Sequence, residues 1–178
     1  AASVGEIKVI GFLIAYLKEH RPELRLHVTT MTRQGFRAAS AAFAGTAEVS
    51  FFPLDAGHVI RRTLDQLKPG MVVVAETEIW PNLLLCAARR GIPTVLVNGR
   101  MSAGACGKYR LAPGMMRRLL SCYDWAFIKS ESDRERFAGL GLPSERTTVT
   151  GDMKFDAPLV RISEGRVREI RARMAVKP

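Results

Sequence analysis

Apolar residues return at Ile7, Ile10, Ile14 and Leu17, three or four positions apart, and Leu13 widens the stripe. This spacing predicts an amphipathic helix that starts near Gly5. From Leu24 to Thr30 the pattern changes to alternation with β-branched residues, which predicts a strand. A helix over 35–43, a short strand over 49–52 and a helix over 59–67 follow. Residues 71–75, Met-Val-Val-Val-Ala, are a continuous apolar run, as expected of a strand covered on both faces in a parallel sheet. Residues 83–90 read as a helix stopped at Gly91, where a helix C-terminus favours glycine, and 94–97 as the next strand. The alternation continues with a strand over 125–129, a helix over 132–140 ended by Gly141, and a strand over 147–150. Residues 99–113, rich in Gly, Ala and Pro, read as a functional loop. From Ser163 the tail carries Val167, Ile170 and Met174 as a last amphipathic helix.

Strands alternating with helices of this length predict an α/β fold, a Rossmann-like doubly wound parallel sheet built from right-handed βαβ units. No internal repeat or low-complexity linker interrupts it. Ligands of such sheets bind beyond the carboxyl ends of the strands, so the residues that follow each strand are the first to inspect.

The 178 residues amount to roughly one domain. With 47% hydrophobic and 25% charged residues, neither disorder nor a fibrous repeat is indicated. Charge changes the picture more. Residues 1–89 hold ten Lys and Arg against eight Asp and Glu, and residues 90–178 hold seventeen against nine, so +8 of the +10 lies in the second half. Such a bias favours an anionic partner, whether nucleic acid, acidic lipid or a phosphorylated sugar. Cys86, Cys106 and Cys122 are odd in number, far apart and without a C-x-x-C pair, so free thiols in a reducing compartment are expected. No apolar run approaches the ~20 residues that span a bilayer, and no signal peptide precedes the first motif.

Several post-strand or pre-helix clusters carry chemistry. Ser3-Val4-Gly5-Glu6 opens the first helix, where backbone N–H groups suit an anion or a sugar oxygen; from this tetrapeptide alone Glu6 reads first as a dipole-favoured surface acid. Thr29-Thr30-Met31-Thr32 supplies hydroxyls after a strand, although threonine is also a good strand residue. Glu76-Thr77-Glu78-Ile79-Trp80-Pro81-Asn82 follows the most apolar strand. Two like charges there would raise one carboxyl pKa towards proton-transfer use, unless one acid caps the next helix and the other meets a cation. Asn98-Gly99-Arg100-Met101-Ser102 presents a forked donor for carboxylate or phosphate, or an exposed loop arginine. In Gly151-Asp152-Met153-Lys154-Phe155-Asp156, an ion pair to a flanking acid competes with anion binding at Lys154. Dinucleotide and phosphate-loop fingerprints are absent, and His20, His27 and His58 match no metal-ligand spacing. Arg166, Arg168, Arg171 and Arg173 alternate with Glu164 and Glu169 and suit a solvated helix face better than a nucleic-acid reader.

Taken in order from Ala2-Ser3-Val4-Gly5-Glu6 to Gly151-Asp152-Met153-Lys154-Phe155-Asp156, these motifs resemble the 3-deoxy-D-manno-octulosonic acid (Kdo) transferase family, over Ala1 to about Asp156. The resemblance implies the N-terminal, acceptor-binding domain of a GT-B type glycosyltransferase, residues 1–160, with 161–178 beginning an interdomain connection. The implied reaction moves Kdo from CMP-Kdo to a lipid A precursor in lipopolysaccharide core biosynthesis. It inverts the anomeric carbon and uses no metal or other cofactor. It takes place on the cytoplasmic face of a Gram-negative inner membrane, with the enzyme peripheral to or N-terminally anchored in that anionic surface, and no nucleic acid is expected as a partner.

On the matching positions Glu6 would be the general base. Ser3, Gly5, Thr30, Thr32, Glu76, Glu78, Trp80, Asn98, Arg100, Ser102 and Lys154 would bind substrate, with one of Glu76 and Glu78 the more important. Gly99 stands where alanine is common in the family. The family's membrane anchor, first strand and donor domain find no counterpart in the sequence, so the expectation is a chain of marginal stability with no transfer activity by itself. Two other readings stay open: a non-enzymatic basic module on anionic lipid or nucleic acid, and another two-domain sugar-nucleotide enzyme such as an epimerase.

Overall fold

The computed structural model describes residues 4–76 and 78–156. The chain runs α1 (Val4–His20), β1 (His27–Thr30), α2 (Arg33–Ala42), β2 (Glu48–Phe51), α3 (Gly57–Leu67), β3 (Val72–Ala75), α4 (Pro81–Arg89) and β4 (Thr94–Gly99). It continues through α5 (Ala103–Tyr109), α6 (Pro113–Leu120), β5 (Trp125–Ile128), α7 (Glu131–Gly139) and β6 (Thr147–Val149) to a 3-10 turn at Met153–Asp156. The expected tail helix from Ser163 lies outside the described residues.

Two expectations need correction. Residues 99–113 are not a long loop: the Ser102 hydroxyl accepts the Ala105 N–H at 3.2 Å and starts α5, which buries Cys106 despite Gly104 and Gly107. Pro113 then opens α6, where a first-turn proline costs no hydrogen bond. The glycines suggested a loop because their propensity is weak, but a capped helix with one buried face overrides it. The first strand is also shorter than the alternation predicts. Lys18 Nζ reaches the Leu24 carbonyl at 2.6 Å and Leu24 N–H bonds to Arg21 O at 3.1 Å, so the chain is still leaving a turn there.

All strand pairs are parallel, as the apolar runs imply, but the strands divide into two sheets, β1-β2 and β3-β4-β5-β6. None of the described strands pairs across from β1 to β3. Val73, in the middle of the apolar β3, is 47% exposed while its neighbour Val74 is 5% exposed, so β3 is covered on one face and not on both as its apolar run predicts. The larger core fills the four-stranded half with Leu84, Leu96, Met116, Leu120, Tyr123, Ile128 and Phe137. Each fully buried aliphatic side chain there is worth about 1.5–3 kcal/mol. A smaller core packs Ile7 and Ile14 of α1 with Val28, Ala39 and Phe43. Between α3 and α4, Ile60, Leu64 and Cys86 form a third cluster. No helix among the described residues is long and apolar enough to cross a membrane.

Candidate functional site

The carboxyl ends of β3, β4, β5 and β6 bring together residues far apart in sequence. Glu76 follows β3 directly, and its N–H donates to Val97 O at 2.9 Å. Its backbone is left-handed, with φ +62°, and Asn98 near the end of β4 has φ +53°. Left-handed backbone costs a non-glycine residue on the order of 1 kcal/mol, and such strain gathers at functional sites. Asparagine tolerates it better than glutamate does. Around Asn98 the β4–β5 register shifts between Leu96 and Gly99. The Asn98 side-chain oxygen accepts the Met153 N–H at 3.1 Å, tying the end of β4 to the turn that carries Lys154.

The Glu76 carboxyl lies above its usual range. Burial is the largest cause and the neighbouring Glu6 carboxylate adds to it, while Lys154, Arg100 and Lys129 pull the other way. Five charged groups from five segments of the chain thus act on one place. Glu6 arrives from the first turn of α1, half-buried. Arg100 is exposed just beyond β4, Lys129 follows β5 and Lys154 lies in the final turn. Lys129 also pairs with Asp152, whose side chain is 9% exposed. Burial alone would raise Asp152; the Lys129 ammonium and the Lys154 N–H overcome it and hold the carboxyl below its ordinary range. Asp152, one of the two acids flanking Lys154, is therefore bound to another lysine.

Other sequence candidates fall elsewhere. Glu78 accepts the Trp80 indole N–H at 3.2 Å, its carbonyl accepts the Tyr123 hydroxyl at 3.5 Å, and Trp80 packs on Phe52 with ring centroids 4.5 Å apart. These two residues shape the loop. Thr32 and Ser102 are helix caps, accepting from Gly35 N–H and Ala105 N–H. Thr30 is fully buried and its hydroxyl finds no partner among the described residues. Gly5 is exposed at the start of α1. Ser3 and Thr77 lie outside the described residues.

Lys129 and the supports behind the site escaped the sequence reading. The rule that function sits after strands, applied to Trp125–Ile128, points straight at Lys129. The loop bearing Arg100 is clamped from α7: Asp133 accepts the Met101 N–H at 2.8 Å and Arg136 donates to the Met101 carbonyl at 3.1 Å. Nothing in the local sequence announces that contact, which spans more than thirty residues. No group of three or more His, Cys, Asp or Glu among the described residues converges to hold a metal ion. What the arrangement can do is accept a proton at a carboxylate while adjacent cations hold an anionic ligand.

Comparison with known proteins adds to this geometry. The profile of the family described as 3-Deoxy-D-manno-octulosonic-acid transferase (kdotransferase) matches residues 1–157. A 3-deoxy-D-manno-octulosonic acid transferase of Haemophilus influenzae is 32% identical over 156 residues, 88% of this chain and 36% of that protein. Proteins of the same name from Chlamydia pneumoniae and Bordetella pertussis are each 32% identical, over 86% and 89% of this chain and 35% and 37% of their own lengths. The chain therefore spans about a third of the length of these relatives. Among solved structures, UDP-GlcNAc 2-epimerase from Neisseria meningitidis bound to UDP-GlcNAc superposes with a TM-score of 0.63, over 99% of this chain and 53% of the other. At 16% identity that likeness concerns the fold, an α/β architecture with parallel sheets.

Proposed function

Because the chain belongs to the 3-deoxy-D-manno-octulosonic-acid transferase family, we propose that it forms the acceptor-binding part of an enzyme that transfers Kdo from CMP-Kdo to a lipid A precursor. The observation that supports this most is that the half-buried Glu76, just beyond β3, is acted on by the charges of Glu6 from α1 and of Arg100, Lys129 and Lys154 from beyond the other strands. In this reading Glu6 takes the proton of an acceptor hydroxyl as its oxygen attacks the anomeric carbon of Kdo. The new carbon–oxygen bond forms as the bond to the CMP phosphate breaks; the electron pair leaves with CMP and the configuration inverts. The three cations hold phosphate or carboxylate groups of the substrates, and their charge offsets the cost of keeping two carboxyls close together.

Residues 1–160 then act as the acceptor domain, 161–178 begin the connection, and a second domain supplies most contacts to CMP. The described strands fall into two separate parallel sheets, and in this reading a further parallel strand joins them into one doubly wound sheet. In this reading the basic second half of the chain faces the anionic inner leaflet and the acceptor's phosphates. Of the two motif glutamates, Glu76 is the one assigned to substrate, since Glu78 is engaged with Trp80.

Glu6→Gln tests the assignment in a protein that carries both domains. The exchange preserves size and removes basicity, so turnover is expected to fall by ~10²-fold or more with acceptor binding retained. Turnover like that of the parent, with binding unchanged, would remove Glu6 as the base.

A further inference from the structure

The charged groups of the site stand on different sheets. Glu6 begins α1, whose Ile7 and Ile14 pack with Val28 of β1 and with Ala39 of α2. Glu76, Arg100 and Lys129 follow strands of the four-stranded sheet. Since none of the described strands pairs across the two sheets, the approach of Glu6 to Glu76 depends on contacts that cross the junction: α3 packs on α4 through Ile60, Leu64 and Cys86, α1 meets the Met153–Asp156 turn, and the loop after β2 reaches the start of α4.

The most specific of these contacts is made by Asp55, in the loop after β2. Helix α4 starts without a cap of its own: Trp80 makes no side-chain capping bond and Pro81 has no N–H to offer. Its next two N–H groups both donate to the Asp55 carboxylate, Asn82 N to Oδ2 at 3.0 Å and Leu83 N to Oδ1 at 2.9 Å. Asn82 Nδ2 returns a bond to the Asp55 carbonyl at 2.6 Å. Beside them Phe52, from the same loop as Asp55, packs on Trp80. A carboxylate at a helix N-terminus is favoured both by the open N–H groups and by the helix dipole. The loop Glu76–Trp80 is therefore fixed at both ends, by the Glu76 N–H on Val97 O at its start and by Asp55 at its finish.

We propose that Asp55 and Asn82 form a latch across the junction that positions the Glu76 loop against Glu6, making Asp55 a positioning residue of the site. The inference rests on the reading that Glu6 and Glu76 share one site. Removing the carboxylate loosens the tie between the loop after β2 and the start of α4, so the half that carries Glu6 is held less firmly against the half that carries Glu76.

The test reads the coupling between the two carboxyls, so it needs no transfer assay. In the 178-residue chain, carbon-detected NMR follows the titration of Glu76, which is faced by Glu6 from α1, by Arg100 and Lys129 after β4 and β5, and by Lys154 from the last turn. Glu6→Gln is expected to lower the Glu76 midpoint in the parent. In an Asp55→Ala background that shift should shrink to less than half, and in Asp55→Asn, which keeps one acceptor oxygen, it should be intermediate. Asp65→Ala, which breaks only the exposed Asp65–Arg90 pair between α3 and α4, should leave it intact. Amide spectra confirm that each variant is folded; where Asp55→Ala is not, Asp55→Asn carries the test. An undiminished shift in both Asp55 variants overturns the latch, as does an equal loss in Asp65→Ala. No shift in the parent overturns the shared site itself.

Discussion

Gly99 offers a quantitative check on the packing that carries Arg100. Its backbone is not left-handed, so the dihedral angle is no reason for glycine. The reason is proximity: a Cβ placed there would lie 2.6 Å from Ile128 Cδ1 and 3.0 Å from Leu96 Cδ2, and both side chains are buried. Carbon atoms prefer separations of about 3.5–4.0 Å, so Gly99→Ala forces Ile128 to move within a packed core. Overpacking of this kind costs about 1–3 kcal/mol. Against it stands the gain of about 0.4–1 kcal/mol from restricting the unfolded chain, leaving a net loss of about 0–2.6 kcal/mol. Ile128→Val removes the clashing Cδ1 and by itself costs about 0.5–1.5 kcal/mol. In the double variant the alanine methyl occupies the vacated space, so the pair should be at least about 1 kcal/mol more stable than the sum of the single effects predicts. Urea unfolding of the four proteins, extrapolated linearly, measures the cycle. Additivity within about 0.5 kcal/mol, or a Gly99→Ala chain more stable than the parent, would refute the argument. The cycle asks whether Ile128 is what makes glycine necessary here.

The remaining predictions concern charge. The folded-state pKa of Glu76 is raised above 4.5, so the folded chain holds its proton more tightly than the unfolded chain does. Its contribution to stability is complete below the unfolded value and is lost as pH rises through the folded one. Glu76→Gln should therefore match the parent's stability near pH ~3 and exceed it near pH ~7 in urea titrations, and a difference that does not change with pH would contradict the burial and Glu6 effects. Arg100→Ala, in a protein with both domains, should weaken use of the phosphorylated acceptor by a factor that shrinks as salt rises, because the arginine is exposed. A loss that is the same at every ionic strength would instead mark Arg100 as structural.

Local patterns were enough to show the order of elements apart from α5 and α6, which the glycines and prolines of 99–113 concealed. The Ile7–Leu17 stripe, the Val72–Ala75 run and the glycines at 91 and 141 each act within one turn or one strand, so α1, β3 and the ends of α4 and α7 are legible without a partner. The motifs also named Glu6, Glu76, Arg100 and Lys154, because chemistry in a parallel sheet collects where strands end. Tertiary structure decided what each of these side chains meets. Burial together with Glu6 raises Glu76, whereas Glu78, two residues on, turns to Trp80; the sequence motif treats the two alike. Thr32 and Ser102 carry hydroxyls fit for a ligand, and the folded chain engages both as helix caps. Asp55, Lys129 and Asp133 reach the site region only through contacts spanning some twenty to thirty residues or more, and no local periodicity encodes such distances. Helix and strand propensities are short-range properties of the chain. The electrostatics of a site depend on which segments share a low-dielectric space, and only the packed fold brings them together.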